Sequence, residues 1–490
     1  MACRRFTVFL LAVLCLSTAA GTVRVRILQT TDLHAFVRHG DDPAKGGWLR
    51  LATLIRRERD AGTLLIDCGD TCQGTLTGVL SQGEVAISLL HALKYDVWVP
   101  GNHELDFGIP RCAELCRMAG TLTLCGNMDF PLETPPLKLP AWRMFERNGA
   151  RVAVIGATAS YMRNWLLADQ QKRISITLAA DMLRRIMPEV LGARPDMIVL
   201  ATHQGWLTKD PREVNEVPAV VEQFPEIDLI LGGHTHWARP GVRLGKSTWY
   251  VQTGAHAAEI AVIDAMVDTV AHKVVDISSR LLEATADVEL DPEAKRAVQK
   301  WIDQVEQAEK QPVGHAAAPV LAKGLPGVSC ATSELLSAAI SEDSGATVVM
   351  HGRLSRAGLR EGPITQADLF ALVPYENSVV TAWLTPGQLA RIVAEQYANR
   401  RSYVYCGVWG AEVQMDRDGG AKVLRLAHPG KKIDGRVLVA FNSYTAAGGG
   451  GRFPVLKKIL DASESRTQTA GKSSRKALER YVRKHNPLRV

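Results

Sequence analysis

Short apolar runs alternate with longer amphipathic segments from Val23 to about Glu283. Runs rich in β-branched residues predict strands, and apolar positions that recur every three or four residues predict helices. The predicted strands are Val25–Gln29, Thr63–Asp67, Val97–Pro100, Arg151–Gly156, Met197–Ala201 and Ile227–Leu231. The predicted helices are Trp48–Glu58, Ile87–Leu93, Ile109–Met118 and Ala179–Leu191. This alternation predicts an α/β fold built in layers.

At 490 residues the chain is too long for one ordinary hydrophobic core, so we expect two domains. The segment Asp291–Lys310 has a charged helical pattern that ends before Pro312. It is either the connection between the domains or a peripheral helix of the first one. A glycine-rich turn at Ala446–Gly451 and a final helix over Arg475–Lys484 belong to the second domain. The expected divisions are residues 1–20, 22–285, 286–312 and 313–490.

The first twenty residues have the pattern of an export signal. Arg4 and Arg5 precede the apolar run Phe6–Leu16, and the small residues Ser17–Ala20 offer a cleavage site. We therefore expect a signal peptide over residues 1–20 and a secreted or periplasmic protein. No later apolar stretch is long enough to span a bilayer, and the last residues carry no apolar tail for a lipid anchor.

The composition is ordinary for a globular protein, with 46% hydrophobic and 22% charged residues. The formal charge of +7 falls to +5 without Arg4 and Arg5, and much of this excess lies after Lys457. A solvated basic surface explains it better than a patch for a nucleic-acid polymer. Of nine cysteines, seven follow the signal, so at least one thiol is free or pairs between molecules.

Five polar motifs follow the predicted strands of the first domain. They are Asp32-Leu-His34, Gly69-Asp70-Thr-Cys-Gln-Gly74, Gly101-Asn-His-Glu104, Thr202-His203 and Gly232-Gly-His-Thr-His236. Ligand sites in layered α/β folds form beyond the carboxyl ends of strands, so we expect the motifs to meet in one crevice. Carboxylate oxygens and imidazole nitrogens suit divalent cations such as manganese, zinc, cobalt or iron. A carboxylate such as that of Asp70 could bridge two of them.

These motifs resemble those of the calcineurin-like metallophosphoesterases. The continuation Glu104-Leu-Asp-Phe-Gly108 is similar to the 5′-nucleotidase branch of that superfamily. In the second half, Gly362–Asp368, Pro374-Tyr-Glu-Asn377 and the glycine turn before Arg452-Phe453 resemble the branch's nucleotide-binding domain. The resemblance covers nearly the whole chain after the signal. It implies a four-layer metallophosphoesterase β-sandwich flanked by helices, a linker helix and a C-terminal α/β domain.

The resemblance also implies roles for the motif residues. One cation would be bound by Asp32, His34 and His236, the other by Asn102, His203 and His234, with Asp70 as the bridge. His103 and Asp106 match the family's catalytic pair, with Asp106 orienting the imidazole. Hydroxide activated by the two metal ions would attack phosphorus. The identity of the ions stays open, with zinc, manganese, cobalt and magnesium as candidates.

Substrate contacts are expected from the second domain. Arg356 matches a phosphate-binding arginine of the family, although the usual Asn-Gly-Gly-Gly-Ile-Arg stretch reads His351-Gly-Arg-Leu-Ser-Arg356 here. Tyr405 and Phe453 would stack on the two faces of a nucleobase, with Trp409 a rival for the first position. Further phosphate contacts are left open among Arg391, Arg400 and Arg401. In the first domain, Cys68 and Cys72 are expected to pack in the core, and His256 to be a supporting or surface residue.

The leading hypothesis for the activity is a 5′-nucleotidase that acts on nucleoside monophosphates. The alternatives are a 2′,3′-cyclic-nucleotide 2′-phosphodiesterase with 3′-nucleotidase activity, or a nucleotide-sugar hydrolase. An esterase for sulfur-containing groups shares the fold, but no feature of the sequence favours it. A non-catalytic surface binding protein is the alternative from another class, and the intact motifs argue against it. The sequence leaves the oligomeric state open.

Overall fold

The computed structural model describes residues 21–40, 44–207, 215–324, 329–401, 404–427 and 435–489. The predicted export signal lies outside these residues. Within them, no helix combines the length and the apolar character that crossing a bilayer requires.

The N-terminal domain contains fourteen strands within its described residues. They are β1 (Thr22–Thr30), β2 (Thr63–Asp67), β3 (Val97–Trp98), β4 (Met128–Phe130), β5 (Leu137–Lys138), β6 (Trp142–Arg147), β7 (Ala150–Ala157), β8 (Ser175–Ile176), β9 (Met197–Thr202), β10 (Leu229–Leu231), β11 (Arg239–Leu244), β12 (Thr248–Gln252), β13 (Glu259–Asp268) and β14 (Lys273–Glu283).

Helices connect these strands. They are α1 (Trp48–Glu58), α2 (Leu76–Ser81), α3 (Glu84–Ala92), α4 (Ile109–Ala119), α5 (Ala168–Gln171), α6 (Ala179–Gly192) and α7 (Val217–Gln223), followed by α8 (Pro292–Lys310). Short 3-10 turns lie at His103–Leu105, Gly120–Leu122 and Ser160–Trp165.

Two sheets stacked face to face form the centre of the N-terminal domain. Their strand orders are β14-β13-β1-β2-β3 and β11-β12-β10-β9-β7-β6, and β4 lies between β5 and β8 in a small third sheet. Strands β1, β2 and β3 are parallel to one another, as are β7, β9, β10 and β12. Fully buried aliphatic side chains from both sheets, such as Ile27, Ile66, Val154 and Val199, fill the space between them.

Helices cover the outer faces of both sheets and complete four layers. Trp48 of α1, Leu89 of α3 and Leu115 of α4 belong to the buried cluster on the first sheet. Leu183 of α6 and Val220 of α7 belong to the cluster on the second sheet. Parallel strands buried on both faces explain the near-continuous apolar runs of the sequence.

Helix α8 connects the two domains and packs mainly on the first. Asp291 caps it by accepting a hydrogen bond from the Ala294 N–H at 2.7 Å, and Pro292 occupies the first turn. Trp301 and Ile302 join the buried cluster of the N-terminal domain. Nearer its end, Val305 packs with Leu76 and with side chains of the C-terminal domain. The helix therefore has buried contacts with both domains.

The C-terminal domain is a smaller α/β unit. Its described strands are β15 (Pro312–Ala316), β16 (Val348–Met350), β17 (Gly362–Thr365), β18 (Ser378–Leu384), β19 (Ala411–Met415), β20 (Ala421–Leu426), β21 (Val437–Asn442) and β22 (Gln468–Ser473). Its described helices are α9 (Ala331–Ser344), α10 (Gln366–Leu372), α11 (Pro386–Ala398), α12 (Ser443–Ala446), α13 (Pro454–Asp461) and α14 (Ser474–Lys484).

A four-stranded sheet of order β16-β21-β18-β22 forms the core of this domain. Helices α9 and α14 cover one face through side chains such as Leu336 and Leu478. Helices α11 and α13 cover the other face through Ile392 and Leu456. Strands β15 and β17 pair with each other, as do β19 and β20. The predicted layered α/β class is confirmed for both halves of the chain.

Candidate active site

The polar motifs of the N-terminal domain meet at one edge of the sandwich. Asp32 and His34 follow β1, Asp70 follows β2, and Asn102 and His103 follow β3. From the second sheet, His203 follows β9, and His234 and His236 follow β10. All these strands are parallel within their sheets, so their carboxyl ends bring the motifs into one crevice, as expected from the sequence.

Tight left-handed turns direct these side chains into the crevice. Positive φ angles occur at Asp32 (51°), His34 (50°), Asp70 (53°), His234 (73°) and His236 (59°). Such angles are uncommon for residues other than glycine, and each costs about 1–3 kcal/mol. Their concentration at one crevice indicates that the fold tolerates local strain in order to aim these groups.

Four of the residues form a first group, called here the Asp32 cluster: Asp32, His34, Asp70 and His236. One ligand atom from each lies within 4.8 Å of the others. The Nε2 atoms of His34 and His236 are 3.1 Å apart, and His236 Nε2 lies 3.3 Å from Asp32 Oδ1. The His236 side chain is 40% exposed, whereas Asp32 is fully buried. The cluster is therefore open to solvent on the His236 side.

A second group, called here the Asp70 cluster, consists of Asp70, His203 and His234, whose ligand atoms also lie within 4.8 Å of one another. His203 Nε2 lies 3.0 Å from Asp70 Oδ2 and 3.2 Å from Asn102 Oδ1. Asp70 belongs to both groups. The seven side chains expected to bind metal are thus gathered, and the aspartate expected to bridge two cations lies between the two halves.

Contacts behind the clusters fix the orientation of the imidazoles. His34 Nδ1 donates to the Gln73 carbonyl at 2.7 Å, and His203 Nδ1 donates to the Cys68 carbonyl at 2.7 Å. Both rings therefore direct Nε2 to the crevice, the arrangement typical of metal-binding histidines. Gly101 packs so closely that a Cβ there would lie 2.4 Å from Asp70 Oδ1, so only glycine fits beside this carboxylate.

The charge states of the clusters follow from burial and from neighbouring carboxylates. Burial lowers the pKa of His34 to about 3 and, together with cationic His203, that of His234 to about 4. Burial alone would lower the pKa of His203, but Asp70 raises it to about 9. Burial would also raise the pKa of Asp70, yet His203 and His103 hold it well below its usual range. Neutral His34 and His234 present lone pairs, and a cation could replace the proton of His203.

These residues fit the divalent cations that are expected from the sequence. His234 Nδ1 is buried and has no hydrogen-bond partner among the described residues. An unpaired buried nitrogen is unfavourable unless another group satisfies it, and a cation does so. Hard oxygens together with imidazole nitrogens, and no thiolate, form a donor set typical of zinc, manganese or cobalt. Cys68 and Cys72 are buried outside the clusters, and all seven described cysteines are free thiols.

His103 and Asp106 form a hydrogen-bonded pair beside the clusters. His103 Nδ1 donates to Asp106 Oδ2 at 2.8 Å, and the His103 N–H donates to Asp70 Oδ1 at 2.8 Å. Burial would lower the pKa of His103, but Asp106 and Asp70 raise it to about 10. Cations bound at Asp70 would offset part of this increase. Asp106 thus orients the ring and favours its charged form.

Glu104 has a role that the sequence did not reveal. Its buried carboxylate accepts four backbone N–H groups, from Gly101 at 2.5 Å, Asp70 at 3.1 Å, Thr71 at 2.8 Å and Cys72 at 3.0 Å. One side chain thereby joins the loop after β2 to the loop after β3. Its place in the Gly-Asn-His-Glu motif was a signal, but nothing in the sequence indicated which backbone groups it would bind.

Both domains line a cavity of about 960 Å³ next to the clusters. Asn102, His103, Asp106 and His234 reach it from the N-terminal domain. Arg356 and Tyr405, both expected to contact substrate, reach it from the C-terminal domain, and so does Arg353. Two hydrogen bonds cross between the domains near the cavity, from Gln73 Nε2 to the Pro374 carbonyl at 2.9 Å and from the Tyr161 hydroxyl to the Gly450 carbonyl at 3.0 Å.

Phe453 was expected to stack on a nucleobase, but the structure does not bring it to the cavity. Its ring is fully buried in the core of the C-terminal domain. The Phe453 N–H donates to the Gly448 carbonyl at 2.9 Å, which folds the residue beneath the glycine turn. Aromatic side chains that do line the cavity, besides Tyr405, are Phe107, Tyr161, Trp165, Tyr375 and Tyr444.

The remaining candidates from the sequence lie elsewhere. Trp409 pairs through its backbone with Val349 at the edge of the sheet and is not among the residues that line the cavity. Arg391, Arg400 and Arg401 are exposed and do not line it either. Arg452 and Lys476 do line it, although the sequence did not predict either of them as a substrate contact. His256, expected at the surface or in support, lies beside His34 and His236.

Comparisons with known proteins agree with this geometry. The model of the calcineurin-like phosphoesterase family matches residues 25–238, and that of the 5′-nucleotidase C-terminal domain matches residues 312–458. A 2′,3′-cyclic-nucleotide 2′-phosphodiesterase/3′-nucleotidase of Salmonella typhimurium is 29% identical over 264 residues, which cover 48% of this chain and 40% of that protein. The chain therefore matches about two-fifths of the length of its first curated relatives.

Solved structures resemble the chain over nearly its full length. A 5′-nucleotidase precursor from Thermus thermophilus has a TM-score of 0.70 at 20% identity, covering 95% of this chain and 97% of that one. A putative 5′-nucleotidase from Staphylococcus aureus has a TM-score of 0.76 at 17% identity, covering 96% and 98%. At these identities the likeness shows the two-domain fold. In agreement with that fold, residues 25–238 form a calcineurin-like phosphoesterase domain and residues 312–458 a 5′-nucleotidase C-terminal domain.

Proposed function

We propose that this protein is a two-metal phosphohydrolase that releases phosphate from nucleoside 5′-monophosphates. The observation that supports it is the shared cavity, where carboxylate and imidazole ligands of one domain face Arg356 and Tyr405 of the other. A nucleotide matches the two walls of this cavity, because its anionic phosphate would bind cations on one side and its aromatic base would stack on a tyrosine ring on the other.

Each cation would have its own protein ligands, and Asp70 would be a ligand of both. Asp32, His34 and His236 would hold one ion, and Asn102, His203 and His234 the other. Two such ions supply Lewis-acid stabilisation of negative charge on phosphorus oxygens and lower the pKa of bound water. Zinc, manganese, cobalt and magnesium are the candidate ions.

His103 and Asp106 would act on the phosphoryl group. Asp106 Oδ2 accepts a hydrogen bond from His103 Nδ1–H at 2.8 Å, so the Nε2–H of His103 is available to donate to a phosphoryl oxygen or to the leaving ribose oxygen. The Asp106 carboxylate already fixes the orientation of this ring.

Substrate binding would come from the C-terminal wall of the cavity. Arg356 would pair with phosphate oxygens, and Arg353, anchored through the Gly324 carbonyl, would add positive charge behind it. Tyr405 would stack on the base, which requires little base specificity. Tyr444 or Tyr375, rather than Phe453, would provide the opposite face, since only rings on the cavity wall are accessible to a base.

A second candidate is 2′,3′-cyclic-nucleotide 2′-phosphodiesterase and 3′-nucleotidase activity. Two observations favour it: the Salmonella relative has that name, and the glycine-rich stretch before Arg356 is replaced by His351-Gly-Arg-Leu-Ser. His351 is buried in the cavity wall, 2.5 Å from Ser474 Oγ through its Nε2 atom. The altered stretch changes the cavity wall beside Arg353 and Arg356. That part of the wall would discriminate between phosphate esters at the 5′ and 3′ positions of the ribose.

The test is phosphate release by the purified chain from 5′-AMP, 3′-AMP and 2′,3′-cyclic AMP, with and without a chelator. The proposal expects 5′-AMP to be preferred and the chelator to abolish release until zinc, manganese or cobalt is restored. Preference for 2′,3′-cyclic AMP and 3′-AMP would support the second candidate. No release from any of them by metal-replete protein would contradict both and favour a non-catalytic binding protein.

We also propose domain limits and a location. Residues 22–285 would form the metallophosphoesterase domain, 286–312 the connection and 313–490 the substrate-binding domain, in keeping with the two family matches. Export by a signal over residues 1–20, into a periplasm or outside the cell, rests on the sequence pattern. N-terminal sequencing of the mature protein would test both the cleavage and its position.

A further inference from the structure

His256 reaches the metal-binding crevice from the turn after β12. Its ring centroid lies 5.5 Å from that of His34 and 5.5 Å from that of His236. The His34 and His236 centroids are themselves 5.0 Å apart. One nitrogen from each of the three rings lies within 4.8 Å of the other two. Three imidazoles thus face one point on the exposed side of the Asp32 cluster.

The position of His256 is held from several sides. Its N–H donates to the Asp32 carbonyl at 2.8 Å, which joins it directly to a cluster residue. Its backbone adopts φ 61°, as strained as those of the cluster residues. Its ring lies flat on Phe36, with centroids 4.3 Å apart and planes 24° from parallel. The stacked face is thereby covered by Phe36, and the ring edge with its nitrogens faces the other two imidazoles.

The glycine opposite His256 adds a further constraint. A Cβ on Gly46, at φ 69°, would lie 2.8 Å from the His256 carbonyl oxygen. The turn can therefore form only with glycine at that position. The ring plane and the backbone of His256 are thus fixed, and so is the glycine next to it. In this respect His256 resembles the residues of the Asp32 cluster more than a surface side chain.

From these contacts we infer that His256 is an additional ligand of the cation that His34 and His236 would hold. This inference rests on the proposed function and adds one neutral donor to that site. Its nitrogen is grouped with those of His34 and His236 and not with the oxygens of Asp32 and Asp70, so the ion would have three imidazoles on this exposed side. An imidazole-rich set favours zinc, cobalt or nickel over manganese and magnesium, because the latter prefer oxygen ligands. The Asp70 cluster, with Asn102, lacks this third imidazole.

The test compares metal binding by the full chain and by His256→Asn. Asparagine tolerates the left-handed backbone but offers an amide in place of an imidazole. His272→Asn is the matched control, because His272 also has a positive φ of 49° but lies in the β13–β14 hairpin, paired with Asp196. Metal-depleted proteins are dialysed against buffered zinc and, separately, manganese, and the bound ions are counted by elemental analysis. Cobalt-loaded samples give visible spectra that report the coordination of the ions.

We expect His256→Asn to weaken one of two zinc sites by at least about 10-fold. Manganese binding should change less, and the cobalt spectrum should differ from that of the wild type. His272→Asn should match the wild type in all three measurements. If His256→Asn binds zinc as tightly as the wild type and gives the same cobalt spectrum, the inference is overturned while the proposed function stands. If the wild type binds no zinc, manganese or cobalt, the proposed function fails as well.

Discussion

Replacing Glu104 with glutamine tests whether one buried carboxylate holds the metal-binding loops in place. The substitution keeps the size of the side chain but removes its charge. The glutamine carbonyl can still accept two of the four N–H groups that Glu104 accepts. Its NH₂ group meets the other two, which come either from Thr71 and Cys72 or from Asp70 and Gly101. Either choice leaves two buried donors without an acceptor.

The size of the effect follows from those bonds. A hydrogen bond to a charged group contributes about 1.5–3 kcal/mol, so losing two costs about 3–6 kcal/mol. An opposing effect is that burial and nearby Asp70 raise the pKa of Glu104, which means that the folded protein disfavours its ionised form. The variant is relieved of that buried charge. We therefore expect a net loss of about 2–4 kcal/mol in the stability of the N-terminal domain, a large effect for one substitution.

The measurement is urea unfolding of the metal-depleted protein, together with zinc affinity. Glu259→Gln is the matched control, because Glu259 is half-buried and accepts one backbone N–H, from Gly254 at 2.7 Å. It should cost no more than about 1 kcal/mol and leave zinc binding unchanged. Glu104→Gln should shift the urea midpoint further and weaken zinc binding, because Asp70 loses its support. Equal midpoints for the two variants, with unchanged zinc affinity, would refute the reasoning.

Three further predictions concern other parts of the protein. His103→Asn should lower kcat by about 10²- to 10⁴-fold while elemental analysis finds the wild-type metal content; loss of metal would instead make His103 a ligand. Tyr405→Ala should raise KM by a factor equivalent to about 1–3 kcal/mol, because a base would lose its stacking surface. Phe453→Leu should lower the urea midpoint and leave KM unchanged, since the Phe453 ring is buried. A raised KM for Phe453→Leu would contradict that burial. Burial raises the pKa of Asp228 from 3.8 to about 6, so the wild type loses stability as the pH rises through that range. Asp228→Asn should therefore be more stable than the wild type in urea unfolding by about 1–3 kcal/mol above about pH 7, and by almost nothing below about pH 4. An equal gain at both pH values would argue against this cause.

Hydrophobic periodicity predicted much of the N-terminal domain. Helix α1 and strand β2 have the predicted limits, Trp48–Glu58 and Thr63–Asp67. Both elements are buried in the N-terminal domain, so their apolar residues follow the pattern typical of a buried helix or a buried strand. Strand β3 is shorter than expected, ending at Trp98, because Val99 and Pro100 already belong to the loop that leads to Asn102. The limits of elements next to the site are thus decided by the loops that build the site.

The candidate site shows a similar division. The motif residues could be found because each lies directly after a strand, and parallel strands bring their ends together. The environment of Phe453 could not, because an aromatic residue after a glycine turn can face a cavity or fold inward. Here the buried core of the C-terminal domain contains it. The four backbone N–H groups that donate to Glu104 come from two loops after two different strands. No local sequence pattern could therefore predict these hydrogen bonds.

The amino-acid sequence by itself determined the layered α/β class, the strand-end motifs and therefore the kind of chemistry that the crevice can support. These depend on local properties, namely the period of the apolar residues and the identity of the few polar residues that follow each strand. Only the tertiary structure decided that His256 stands beside His34 and His236, that Phe453 is buried, and that Arg356 and Tyr405 share a cavity with His103. Those relations join residues far apart in the chain, and they are fixed by how loops and domains pack, which a local pattern does not encode.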